Sequence, residues 1–216
     1  MADIQLFDRL NLIPLEETPI SERRSEPYST YFGDMPITRE QAEEREEMAK
    51  TIEEAVRHYL LLILLSVGTG VVMYEYAEER LRDELRENNI GNEDYRSRYA
   101  KELTRSTMAN LGTPWFFSED RAIWNAENEA NTVSNHDDFE EARERGFTRK
   151  RWMGMNDSRE RATHREKNFE IIPIDEYFHV GAAKLLYPKD VFSERSTGAS
   201  HPEETVNCRC SLVYLP

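Results

Sequence analysis

A chain of 216 residues and 25.4 kDa has room for one compact domain plus an elongated appendage, because single cores usually close at about 100–150 residues. A formal charge of -14, with 32% charged against 38% hydrophobic residues, argues against a protein that coats nucleic acid by neutralising phosphates and suits much exposed helix. The charge is uneven: Arg143 to Lys167 carry nine Lys or Arg against four acids, a balance of +5 that leaves -19 for the remainder. That basic segment reads either as a solvated, salt-bridged surface or as a docking surface for an acidic partner, with Arg149, Lys150 and Arg151 at its centre.

The chain begins "MADIQLFDRLNLIPLEE", acidic and mixed, with no basic stretch leading into an apolar one. Synthesis in the cytoplasm is expected, and disulfides are not. Pro14, Pro19, Pro27 and Pro36 punctuate residues 1–37 without a sustained period, which predicts an extended arm or simple disorder. Leu6, Phe7, Leu10, Leu12 and Ile13 are apolar enough for such an arm to lie against a partner.

After Pro36 a helix is predicted to start with Thr38 as N-cap and Gln41 as its capping-box mate. Ile52, Val56, Ile63 and Val67 recur at helical spacing, with Tyr59 and Leu60 between them, and the pattern resumes in "MYEYAEERLRDELRENN" before stopping at Gly91. One very long helix, or two broken at "GTG" (68–70), would satisfy it. The uncharged run from Tyr59 to Tyr74 falls short of the about 20 residues that span a bilayer and has glycines in its middle. A central helix with Leu60 to Val67 buried against protein is therefore expected, not a membrane span.

Further helices are predicted at "NEDYRSRYAKELTRSTMAN", ended by Gly112, and at "SEDRAIWNAENEANTVSN", capped by Ser118. A shorter one is predicted at "DDFEEARERG", ended by Gly146. Beyond it, "FTRKRWMGM", "NFEIIPI", "AAKLLYP" and "CRCSLVYL" read as short strands, with "DSRERATHRE" a short helix between the first two. The fold class expected is α+β: an arm over 1–37, a helical region with a long central helix over 38–117, and a small module with short strands over 118–216.

Both cysteines lie in "GASHPEETVNCRC". If that segment were a strand, Cys208 and Cys210 would share a face about 6.5–7 Å apart at the backbone, at or beyond the limit for a disulfide. With His164 they could hold zinc, taking His201, His179 or Asp157 as fourth ligand; otherwise they are buried thiols beside a hydrogen-bonded histidine. In a helix, Asp157 and Arg161 form an i, i+4 pair, and Arg161 and His164 an i, i+3 pair. A histidine among arginines could serve acid/base and phosphate chemistry. Alternatively Asp157 caps the helix and Arg159 and Arg161 are its ion-pair partners. With no accompanying nucleophile, glycine-rich phosphate loop or carboxylate pair, the structural reading is preferred and no catalytic residue is assigned.

In order, Trp152, Asp157, Arg159, Arg161, His164, Pro173, Asp175, Phe178, Gly181, Tyr187, Pro188, Asp190, Gly198, Ala199, Asn207, Cys208, Arg209 and Cys210 form a succession that resembles the C-terminal domain of the phage Mu F-like head morphogenesis proteins. The upstream "RAIWNAENEANTVSN" looks like that family's helix, so the likeness covers about residues 118–214. Many members place a glycine where this chain has Asn168, and others carry an extra Cys-x-x-Cys near the aspartate that suggests a metal site lacking its counterpart here. The resemblance implies a minor capsid protein of a tailed bacteriophage, made in the host cytoplasm and residing in the virion. Its expected partners are the portal protein or the major capsid protein, with packaged DNA touched only indirectly, no membrane insertion, and no cofactor beyond the zinc considered above. A phage-delivered toxin-type enzyme acting on nucleic acid or NAD is the alternative. Such activity normally sits in an additional C-terminal domain, and this chain closes on the motif, so no enzyme is expected.

Overall fold

The computed structural model describes residues 31–70 and 73–216. The arm expected over 1–37 lies outside the described residues up to 30. Tyr31 to Gly33 are helical rather than extended, and Phe32 and Met35 are buried, at 1% and 5% exposure. The chain is α+β, as expected, and its described residues divide into two compact units: Glu47–Glu127, and 31–46 together with Asn128–Pro216.

Helix α1, Arg39–Thr69, starts on the capping box read from the sequence: the Gln41 N–H donates to Thr38 Oγ1 at 3.2 Å, and the Thr38 N–H to Gln41 Oε1 at 3.1 Å. It ends at the "GTG" break, where Gly70 takes φ +68° and the Met73 N–H is held by Ser66 Oγ at 3.0 Å. Of the two alternatives, the broken helix is the one formed. Helices α2 (Tyr74–Glu87) and α3 (Glu93–Met108) follow, the latter capped by the Asn92 side chain accepting from the Tyr95 N–H.

The first unit is a helical core. Ile52, Val56, Tyr59, Leu60, Ile63 and Leu64 of α1 are buried, as are Leu81 and Leu85 of α2 and Tyr95, Tyr99 and Leu103 of α3. Each such side chain taken fully out of water contributes roughly 1.5–3 kcal/mol before entropy is set against it. The Tyr59 hydroxyl meets Thr104 Oγ1 at 2.7 Å, which satisfies a phenol inside that core. The burial expected over residues 60–67 holds for Leu60, Ile63, Leu64 and Ser66, whereas Leu61, Leu62 and Val67 are half-buried and Leu65 is exposed, at 56%. Among the described residues no helix is long and apolar enough to cross a membrane.

Helix α4, Glu119–Glu144, is one 26-residue element where two were expected. Ser118 caps it, its Oγ accepting the Arg121 N–H at 3.2 Å. Gly146, at φ +81°, lets the chain turn back so that Gly146 and Phe147 donate to the carbonyls of Arg143 and Ala142.

The second unit builds an antiparallel sheet in the order β2-β1-β5 from β1 (Arg149–Met153), β2 (Ile171–Pro173) and β5 (Ser211–Leu215). A separate hairpin, β3 (Phe178–Val180) with β4 (Ala183–Leu185), includes a strand that the sequence pattern did not reveal. Trp152, Phe178, Val180, Ala183, Leu185 and the two cysteines form one apolar cluster; Phe139, Ala142, Ile174 and Tyr187 form another.

Lys150 corrects the expectation that it faces a partner with Arg149 and Arg151. Alternation along β1 turns Lys150 and Trp152 inward, so Lys150 is wholly buried and donates to the Ile174 carbonyl at 2.6 Å. Its ammonium stands 5.0 Å from the Phe139 ring centre and 5.5 Å from that of Phe178. Burial pushes its pKa down to about 7, partly offset by the negative charges of Asp190 and Asp175. The unfolded chain, with an ordinary lysine pKa near 10.5, then holds more protons than the folded one between about pH 7 and 10.5, so stability should rise with pH across that window. Urea titrations of wild type and Lys150→Met at about pH 6.5 and 9.5 should show their difference moving in favour of wild type by on the order of a few kcal/mol. A pH-independent difference would mean that the ammonium stays charged in the core.

Candidate functional site

The segment Asn207 to Cys210 runs past one face of α4. Asn128, Asn131 and Asn135 stand at i, i+3 and i+7, so their amides line up along that face. Asn128 Oδ1 accepts the Asn207 N–H at 2.9 Å, Asn131 Nδ2 donates to the Cys208 carbonyl at 2.9 Å, and Asn135 Nδ2 reaches the Pro188 and Cys210 carbonyls at 3.3 and 3.4 Å. Asn207 takes φ +57°, a left-handed conformation that asparagine tolerates, and so turns the chain into this groove. Buried Lys189 donates to the same Asn128 oxygen.

Two of these amides, Asn131 and Asn135, are oriented from the other side by Arg45. Its side chain is fully buried, with Nε 3.3 Å from Asn131 Oδ1, Nη2 3.4 Å from Asn135 Oδ1 and 2.7 Å from Asp138 Oδ2, and Nη1 on the Gln41 carbonyl at 3.2 Å. Asn131 and Asn135 thereby present their oxygens to the guanidinium and their NH2 groups to the cysteine-bearing segment.

The cysteines themselves precede β5 instead of lying on it, which corrects the expected placement on a closing strand. His164 Nδ1 is 3.4 Å from both Cys208 Sγ and Cys210 Sγ, and the three ligand atoms lie within 4.8 Å of one another. On the far side of the ring, Nε2 meets Glu204 Oε2 at 3.1 Å, and that oxygen also accepts from Thr163 Oγ1 at 2.8 Å. The Trp152 indole stacks edge-on against the imidazole, 5.7 Å between centres. His164, Cys208 and Cys210 are each 2% exposed.

The electrostatics follow from this packing. Burial opposes ionisation of Cys208, but hydrogen bonds from Cys210 and His164 outweigh it and bring its thiol well below the ordinary value. Cys210 is displaced well upward by the neighbouring Cys208 and by burial. Burial also opposes charging of His164, yet its contact with Cys208 raises the imidazole above its usual value. The packing thus favours the thiolate form at Cys208 over Cys210.

Around this core the remaining motif residues serve as fasteners. Asp157 is not a helix N-cap, because α5 is the single turn Ala162–Arg165 with Arg161 at its N-cap; the helical pairing expected of Asp157 with Arg161 does not form, while the Arg161 carbonyl accepts the His164 N–H at 3.1 Å. Asp157 Oδ1 instead accepts the Arg159 N–H at 2.9 Å, and Oδ2 pairs with Arg209 at 2.6 Å, a contact that holds its carboxyl below the usual carboxylate range. Arg159 is 3.5 Å from the same carboxylate and exposed, while Arg161 donates to the Val206 carbonyl. None of the three expected fourth metal ligands joins the cluster: Asp157 is taken by Arg209, His201 pairs with Glu203 at 2.8 Å, and His179 is exposed on β3. Glu204, Arg45 and the role of the three asparagines were not read from the sequence; three asparagines on one helix face were the available signal.

This is an α+β module whose basic and cysteine-bearing motif is folded inward onto a helix of amides. The chain belongs to the family Phage Mu protein F like protein, which matches residues 40–213 and so takes in α1 to α3 as well as the module. The family points to a phage protein of head morphogenesis. Neither the search of curated proteins nor that of solved structures returned a match.

Proposed function

We propose that this protein is a minor head protein of a tailed bacteriophage that associates with the portal or the inner capsid and assists head assembly, DNA packaging or DNA delivery. The observation that carries this reading is the family match across almost the whole chain, helical unit included. The net charge of -14 agrees with it, since an acidic protein inside a head does not adhere to packaged DNA. The sulfur, imidazole and carboxylate of Cys208, His164 and Glu204 stand in the order of a nucleophile relay, but thiols 2% exposed offer a substrate no approach, which favours a structural role over the enzyme alternative.

Docking belongs to the outward residues of β1. Arg149 is exposed and Arg151 half-buried on that face, whereas much of the neighbouring basic segment is neutralised internally, as in Arg145 with Glu141 and Lys167 with Glu170. Reversing Arg149 and Arg151 to glutamate, and leaving Lys150 in place, should reduce incorporation into heads and co-purification with portal protein from disrupted particles, with the thermal midpoint nearly unchanged. Normal incorporation of that double variant would remove the β1 face from the interface. Absence of the wild-type protein from purified particles would overturn the whole reading.

A further inference from the structure

We propose that His164, Cys208, Cys210 and Glu160 form a tetrahedral zinc site, with Nδ1 as the histidine ligand and Glu204 fixing the ring from Nε2. Two sulfurs and one imidazole nitrogen within 4.8 Å of one another are the donor types and the crowding that Zn2+ requires. The mixed set of thiolates, imidazole and carboxylate favours it over harder cations such as Mg2+ or Ca2+.

Two independent features complete the set. Glu160 has a side chain only 2% exposed, and its Oε1 is buried without a hydrogen-bond partner, while Oε2 already accepts the Asn156 N–H at 2.8 Å. Its carboxylate is not among the donor atoms that lie within 4.8 Å of one another, so ligation requires the Glu160 side chain to swing toward the sulfurs. An orphaned carboxylate oxygen at such a place is costly unless a cation takes it. The second feature is the contact between His164 Nε2 and Glu204, the outer carboxylate that orients a metal-bound imidazole and fixes its tautomer. Two thiolates and a carboxylate leave the occupied site with one excess negative charge, and Lys189 and Arg161 stand close enough to act electrostatically on Cys208 and His164. Metal ligation also explains why both cysteines and the histidine are withdrawn from solvent at one point. The inference is independent of which head component the protein meets.

The full chain, purified with both thiols reduced and then desalted, should carry about one zinc per molecule by atomic emission. Reconstitution with Co2+ should give tetrahedral ligand-field bands together with thiolate-to-cobalt charge-transfer absorption, which is lost in Cys210→Ser. Glu204→Gln should weaken zinc binding by roughly 10- to 100-fold, and Glu160→Gln by at least as much. The wild-type cobalt spectrum decides the matter even if a cysteine variant fails to fold. Wild type that takes up less than about a tenth of an equivalent of either metal overturns the site. Unchanged zinc affinity in Glu160→Gln overturns the fourth ligand.

Discussion

Arg45→Met is expected to lower the unfolding free energy by about 3–5 kcal/mol, seen as a fall in thermal midpoint on the order of 10 °C. The guanidinium is wholly buried and serves four acceptors: Asp138, Asn131, Asn135 and the Gln41 carbonyl. Methionine fills the volume of the side-chain stem but leaves Asp138 with only Gln41 Nε2, at 3.1 Å, and frees two asparagine oxygens inside the core. The asparagines lose the partner that orients them, so the damage should extend to the segment Asn207 to Cys210. Adding Asp138→Leu should recover part of the loss, because the stranded charge is then gone. A loss below about 1 kcal/mol for the single variant would mean that the amides hold their orientation unaided.

Asp190→Ala should cost at least about 3 kcal/mol, the second large effect. This fully buried side chain accepts the N–H groups of Leu186, Phe192 and Ser193 at 2.9, 3.2 and 2.9 Å, and so shapes the loop that leaves β4. Alanine supplies no acceptor, and three half-buried N–H groups lose the carboxylate that holds them. Asp190→Asn keeps one oxygen and should lose less. Gly198→Ala tests the same loop from outside: a Cβ there would lie 2.0 Å from the Asp190 carbonyl oxygen, a backbone atom that cannot swing aside. Equal stability of Asp190→Ala and wild type in urea titrations would show that water satisfies those donors.

Local chemistry was legible in the sequence where one turn of helix sufficed to express it. Thr38 with Gln41 and Ser118 with Arg121 are contacts three residues apart, and both caps formed where the sequence placed them. What failed was the reading of polar residues whose partners are distant. "SNHDD" looked like a helix break because serine, asparagine and aspartate compete with helical hydrogen bonds, yet α4 runs through it. Asn135 spends its amide on carbonyls 53 and 75 residues away. Lys150 was misplaced because charge was weighed above alternation, although period two along "RKRWM" sets it beside Trp152. His164 with the two cysteines was visible as a donor set, whereas Glu204 in "HPEETV" carried no mark that it would be buried.

The asparagine face of α4 also governs when this protein can finish folding. Its contacts join residues separated by 75 to 79 positions, Arg45 reaches Asn131, Asn135 and Asp138 across 86 to 93, and Ser211 Oγ donates to the Pro36 carbonyl across 175. Glu47–Glu127 is continuous and can close on the ribosome as soon as it emerges; the second unit must wait for Cys208 and Cys210 while residues 36–45 stand idle. A fragment cut at residue 118 would therefore lack Arg45 and Pro36, and it would leave a row of amides with nothing to orient them.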